Sequence, residues 1–161
     1  MLYIYKDIIE HIIWKDMNDD VIQLYNITNI DDINRCIDRL PEGLTHYDAA
    51  MIVYMILKSM YKYHGKNKWE YFDLRDGTWK IDIHRNRLKA DIRTIVSDAF
   101  LKRSMHWYNL SKQHNNDVND MNSKNYISNR ILQHSAKMQN EKFISVVITE
   151  SRGFFDIHRY D

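Results

Sequence analysis

Apolar residues recur along much of the chain at the spacing of helix faces. Between Tyr3 and Trp14, Ile8, Ile9, Ile12 and Ile13 fall at i, i+1, i+4 and i+5, a helical stripe. Asp19 or Asp20 stands where a cap is expected for a short helix carrying Val21, Ile22, Leu24 and Tyr25. Asp31 and Asp32 precede a further short helix with Ile33, Cys36, Ile37 and Leu40, and Pro41-Glu42-Gly43 then breaks the chain. The clearest helix starts at Thr45, because Thr45-x-x-Asp48 has capping-box spacing with Asp in place of Glu or Gln. Ala49, Ile52, Val53, Ile56, Leu57 and Met60 continue it on one face. The expected span is 46–64, with Lys58, Lys62 and His64 in the last turns and Gly65 as a left-handed cap.

The period then changes. Trp69-Glu70-Tyr71-Phe72-Asp73 and Thr78-Trp79-Lys80-Ile81-Asp82-Ile83 are aromatic and β-branched, and Asp76-Gly77 between them signals a hairpin turn. Alternation puts Trp79, Ile81 and Ile83 on one face and Lys80 and Asp82 on the other. A lone hairpin is marginal in water, so it must lie on neighbouring helices, with Trp69, Phe72 and Trp79 as packing anchors. Helical spacing returns over 85–106, where Leu88, Ile92, Ile95, Val96, Ala99 and Phe100 form a stripe flanked by Arg85, Lys89 and Arg93. Residues 109–125 hold six Asn and almost no apolar side chains, the pattern of a loop or linker. Two further helices are expected at 126–137 (Ile127, Ile131, Leu132) and 141–155 (Phe143, Val146, Val147, Phe154). The fold class expected is mainly α, a helical domain with one small β-hairpin that is also compatible with a winged-helix-like element. The expected divisions are an acidic segment 1–43, a helix–hairpin–helix core 44–108, a linker 109–125 and C-terminal helices 126–161.

Composition agrees with this picture: 4 Gly and 1 Pro leave few tight turns. The formal net charge of +1 conceals a division along the chain, with −6 over residues 1–50, +7 over 51–112 and 0 over 113–161. Cys36 is the single cysteine, which excludes an internal disulfide framework or a zinc site built on several thiolates. No uncharged run approaches the ~18 apolar residues of a membrane span. The acidic start lacks a basic region and a small-residue cleavage site, so an intracellular, unsecreted chain is expected.

Most catalytic chemistry finds no carrier. Gly43, Gly65, Gly77 and Gly153 are scattered singly, so neither a phosphate-cradling P-loop nor a dinucleotide fingerprint exists. The eight histidines form no H-x-x-x-H pair with a third acidic ligand, and no metal site is expected. Glu10-His11 and Asp82-His84 pair acid with imidazole but have no nucleophile beside them. The basic middle is the feature with functional reach. Arg85, Arg87, Lys89, Arg93, Lys102 and Arg103 decorate the helix after the hairpin, where cations can meet phosphates and nearby aromatics can stack on bases. The same cations also fit a solvated face of a core helix, or pairing with the acidic segment of this or a neighbouring subunit.

The run Thr45-His46-Tyr47-Asp48-Ala49-Ala50, then Trp69-Glu70-Tyr71-Phe72-Asp73, Gly77-Thr78-Trp79 and Leu88-Lys89-Ala90-Asp91-Ile92, resembles the domain preceding the ATPase in poxvirus-type primase–helicases of large DNA viruses and phages, whose motor belongs to helicase superfamily 3. Phe143 to Phe155, ending Glu150-Ser151-Arg152-Gly153-Phe154-Phe155, is similar to the helix leading into that motor. The resemblance covers roughly residues 44–161. It implies a non-catalytic accessory domain in the collar of a hexameric ring, which aids ring assembly and guides single-stranded or forked DNA. It also implies that the chain is part of a longer protein, with ATP, Mg and any hydrolase activity belonging to a motor outside this sequence. No catalytic residue carries over, because neither the primase carboxylates nor the Walker motifs are present. The alternatives are a protein–protein assembly module without nucleic-acid contact and a stand-alone winged-helix-like DNA-binding protein.

Overall fold

The computed structural model describes residues 29–113 and 117–159. The stripes expected at 3–14 and 19–25 lie outside the described residues. In chain order the elements are α1 (Ile30–Asp38), α2 (His46–Leu57), β1 (Tyr61–Tyr63), β2 (Trp69–Asp73), β3 (Thr78–Ile81), a 3-10 turn (Ile83–Arg85), α3 (Asn86–Asp91), a π-helical turn (Ile92–Val96), α4 (Ser97–Lys112), α5 (Val118–Lys137) and α6 (Glu141–Phe155). The protein is mainly α with a small antiparallel sheet.

Helix α2 starts as its sequence dictates. The Thr45 hydroxyl accepts from the Asp48 amide at 3.1 Å, and the Asp48 carboxylate reaches back to the Thr45 amide, closing a capping box. It ends earlier than expected. Leu57 is its last residue, and Tyr61-Lys62-Tyr63 pairs as a strand instead of continuing the helix to residue 64. Tyr61 and Tyr63 alternate with Lys62, and β-type spacing of aromatics outweighs helical continuation once β2 offers a partner. The sheet therefore has three strands in the order β1-β2-β3, rather than the two of a hairpin. Gly65 caps no helix. With φ of 80° it turns the chain between β1 and β2, together with Lys66 and Asn67 at φ of 48° and 61°.

The second hairpin closes at Asp73↔Thr78, so the loop spans 74–77, and Gly77 takes a φ of 69°. Local carboxylates shape it. Asp73 accepts from the Arg75 amide at 3.0 Å and Asp76 from the Thr78 amide at 3.1 Å.

The core lies between the sheet's inner face and the helices. Tyr61, Tyr63 and Trp69 point inward, and Trp69 is 0% exposed with Phe155 edge-on at 5.3 Å. Burying an indole removes roughly 150–250 Å² of surface from water, worth about 4–6 kcal/mol. Leu88, Ile92, Val96 and Phe100 are buried along the helical run from α3 to α4. Trp79 differs from Trp69: it is half-buried and packs edge-to-face on half-buried Phe72 at 5.3 Å on the outer face of the sheet. Ile81 and Ile83, expected to share a packed face with Trp79, are 59% and 67% exposed.

The Asn-rich stretch is not a 17-residue linker from 109 to 125 among the described residues: α4 runs to Lys112 and α5 starts at Val118. Asp117 caps α5 by accepting from the Asn119 and Asp120 amides, and Asp120 pairs with Lys124 one turn on at 2.7 Å. Ile131 of α5 joins the core that holds Phe100 of α4, and a polar seam also ties the two helices. Ser97 meets Ser135 at 2.9 Å, Ser104 meets Ser128 at 3.1 Å, and Ser111 donates to the Asn125 side chain at 2.8 Å. Ser97, Ser104 and Ser111 recur every seventh residue, so one small side chain per two turns lets the antiparallel backbones approach closely.

Candidate nucleic-acid interface

The six cations expected to meet phosphates do not form one open row. The Lys89 ammonium lies 2.6 Å from Glu141, and the Arg93 guanidinium binds the other oxygen of the same carboxylate. Glu141 opens α6, so these two cations fasten the α3–α4 run to the next helix. The hydrogen bond from Lys89 holds the Glu141 carboxyl below its ordinary range. Arg103 forks onto Asp38 at 2.7 and 2.6 Å, and the Trp107 indole N–H donates to the same carboxylate at 2.8 Å, fastening α1 to α4. Lys102 pairs with Asp98 at 3.4 Å, and Arg87 with Asp91 at 3.7 Å. Arg85 is the one of the six without an ion-pair partner among the described residues. A phosphate arriving at Lys89, Arg93 or Arg103 would have to displace a carboxylate already bound.

Two buried carboxylates near this run serve structure. Asp82 accepts from the Arg87 and Leu88 amides at 2.9 and 2.8 Å, which satisfies the otherwise orphaned donors at the start of α3. Asp91 accepts from the Tyr61 hydroxyl at 2.5 Å, tying α3 to β1. Burial pushes the Asp91 carboxyl above its ordinary range, against the opposing pull of Arg87 and the Tyr61 hydrogen bond.

The surface with unspent chemistry is the outer face of the sheet. Strand register sets Lys62, Glu70 and Ile81 in one row and Phe72 beside Trp79 in the next. The Lys62 ammonium sits 3.9 Å from the centre of the Trp79 ring. Such a cation–π contact is worth about 0.5–1 kcal/mol at an exposed site, less than the roughly 1–3 kcal/mol of a base stacked on an aromatic side chain. Residues 58–68 carry Lys58, Lys62, Lys66 and Lys68 and no acid. Glu70, the acid in this row, is engaged by His64 at 2.7 Å and Lys68 at 3.5 Å. Burial opposes its ionisation, yet these two partners hold its carboxyl below the ordinary range.

At the far edge the chain leaves β3 through Ile83-His84-Arg85. His84 and Arg85 both occupy the left-handed region, at φ of 55° and 60°. That conformation is costly for residues with a Cβ, and the buried Asp82 cap holds the segment in place from behind. Exposed Ile81 thus shares the face of Trp79, and exposed Ile83, then Arg85, follow in the turn after β3.

The sequence pattern alone makes Trp79 an anchor like Trp69 and puts Lys62 at a helix end, and the structure corrects both. The signal that separates the two tryptophans is the Tyr61-Lys62-Tyr63 alternation. It makes β1 a strand, and its pairing with β2 puts Lys62 on the same face as Trp79.

Among the described residues no group of three or more His, Cys, Asp and Glu could hold a metal ion, and no helix is long and apolar enough to cross a membrane. Cys36 is half-buried and packs against the core. No protein-family model and no curated protein matches the chain.

Proposed function

We propose that this chain is a non-catalytic nucleic-acid-binding domain, an accessory of the kind that the resemblance to viral primase–helicases implies, acting in DNA replication beside a motor that lies outside this sequence. The observation that carries the reading is the outer sheet face, where half-buried Trp79 and Phe72 pack together beside a lysine segment without acids. Aromatic faces and cations on one surface suit bases and phosphates of one strand. Of the helix cations, Lys89, Arg93 and Arg103 join helices, while Arg87 and Lys102 pair with acids on their own helices. ATP and Mg are assigned to the motor and not to this chain, and self-association into a ring is assigned to the full-length protein.

The test is fluorescence anisotropy of labelled oligonucleotides across a salt series. Binding should weaken with salt at a log–log slope of about 0.7 per single-strand phosphate contact and about 0.9 per duplex contact. A chain that binds neither form at low salt contradicts the reading.

A second reading, a protein–protein assembly module, is favoured by one observation. Leu101, Met105 and Tyr108 are exposed at i, i+4 and i+7 on α4, an apolar stripe beside the serine seam. Sedimentation at low and high salt separates the two. Association that persists at high salt and ignores DNA supports assembly.

A further inference from the structure

Resting on the nucleic-acid reading above, we infer that the outer sheet face takes a single strand rather than a duplex, by exchanging Lys62 for a base on the Trp79 ring. Three observations lead there. The Lys62 ammonium already covers the indole at 3.9 Å, the position of a placeholder over a stacking surface. The exchange is favourable, since a stacked base outweighs an exposed cation–π contact and the released ammonium gains a phosphate partner. Partly exposed Trp79 also shares its face with exposed Ile81, two residues on along β3, and this apolar strip suits unstacked bases.

A duplex offers little to this surface. Its base faces are already stacked, so Trp79 has nothing to cover, and binding would rest on phosphates alone. The helix that might have supplied a row of cations for a duplex backbone has them bound to Glu141 and Asp38. A single strand instead lays bases over Trp79 and Ile81, with phosphates along Lys62 and Lys66. Thymine and uracil have the same stacking face, so DNA and RNA strands share the recognised chemistry, and the test separates them.

The experiment titrates the full chain with labelled oligothymidylate, oligouridylate and a mixed-sequence duplex of equal length, following anisotropy and intrinsic tryptophan fluorescence. The single strand should bind more tightly than the duplex and quench the fluorescence. Trp79→Phe should retain binding and lose most of the quench. Trp79→Ala should weaken single-strand binding about tenfold, a 1.4 kcal/mol change, and leave duplex binding unaltered. Ile81→Asp should weaken the single strand too, whereas Lys142→Ala, which removes an exposed charge on α6, should not. A chain that prefers duplex overturns the inference, as does one whose affinity and quench are untouched by both Trp79 substitutions, and in either case the broader nucleic-acid reading stands. A chain that binds no strand and no duplex overturns both. Trp79→Phe keeps an aromatic ring against Phe72, so its quench remains readable should Trp79→Ala lower stability.

Discussion

Lys89 and Arg93 grip one carboxylate across a helix junction, whereas Lys62 lies over the ring of Trp79 on an open sheet. All three belong to the same basic stretch of sequence, and charge counting treats them alike. Their neighbours do not. Along the α3–α4 run almost every cation meets an acid from its own helix, from α1 or from α6, so positive charge there becomes a set of joints. On the sheet, Glu70 is held by His64 and Lys68 and Lys80 by Asp73 and Asp76, whereas Lys62 meets an aromatic ring and Lys66 in the turn is exposed. A cation contributes to recognition only where folding has left it without a carboxylate, and that is set by what packs beside it.

The sharpest way to separate the two regions is the pair of tryptophans. Trp69→Ala removes a fully buried ring and should cost about 3–5 kcal/mol, measured by urea denaturation. Trp79→Ala removes a half-buried ring and should cost less than half of that, with its larger effect on strand binding. Equal losses of stability would erase the contrast between inner and outer face.

Next comes the Asp38 joint. Asp38→Asn leaves Arg103 without its carboxylate, at a cost of roughly 1–3 kcal/mol. Burial opposes ionisation of Asp38, but the hydrogen bonds from Arg103 and Trp107 hold its carboxyl below the ordinary 3.8. Its stabilisation is therefore full above pH 3.8 and drains away as pH falls through the folded-state value. In Asp38→Asn that part of the acid limb should flatten in pH-dependent denaturation.

Asp91 should behave with the opposite sign. Burial raises its folded-state value, so the folded protein holds that proton more tightly than the unfolded chain. Its ionisation costs stability at neutral pH, and the cost is relieved as pH falls through the raised value. Asp91→Asn keeps an acceptor for the Tyr61 hydroxyl and should change stability at neutral pH by less than about 1 kcal/mol. A large loss would make Asp91 a joint like Asp38. The smallest effect belongs to Lys89→Ala with Arg93→Ala. Their shared acid is exposed, so thermal melting should shift only slightly and strand affinity should hold.

How much of this was legible beforehand follows from which forces leave a mark on sequence. The capping box at Thr45 and the apolar stripes of α2, α3–α4 and α6 are local and periodic, and they read directly. The C-terminal end of α2 did not, because a three-residue strand carries too little pattern until β2 lies beside it. The start of α5 carries no apolar period, since the serines at 97, 104 and 111 join α5 to α4 by small size and hydrogen bonds. The cations of the interface were visible as residues. Which of them pair with Glu141 or Asp38, 48 or more positions away, is a property of the folded chain.

The decisive measurement is the salt slope of single-strand binding for two charge-removal variants set side by side. Lys62→Ala with Lys66→Ala should reduce the log–log slope by about 1.4, at roughly 0.7 per lost phosphate contact. Lys89→Ala with Arg93→Ala should leave it unchanged. A slope that falls for the helix pair and holds for the sheet lysines would contradict the assignment of recognition to the sheet.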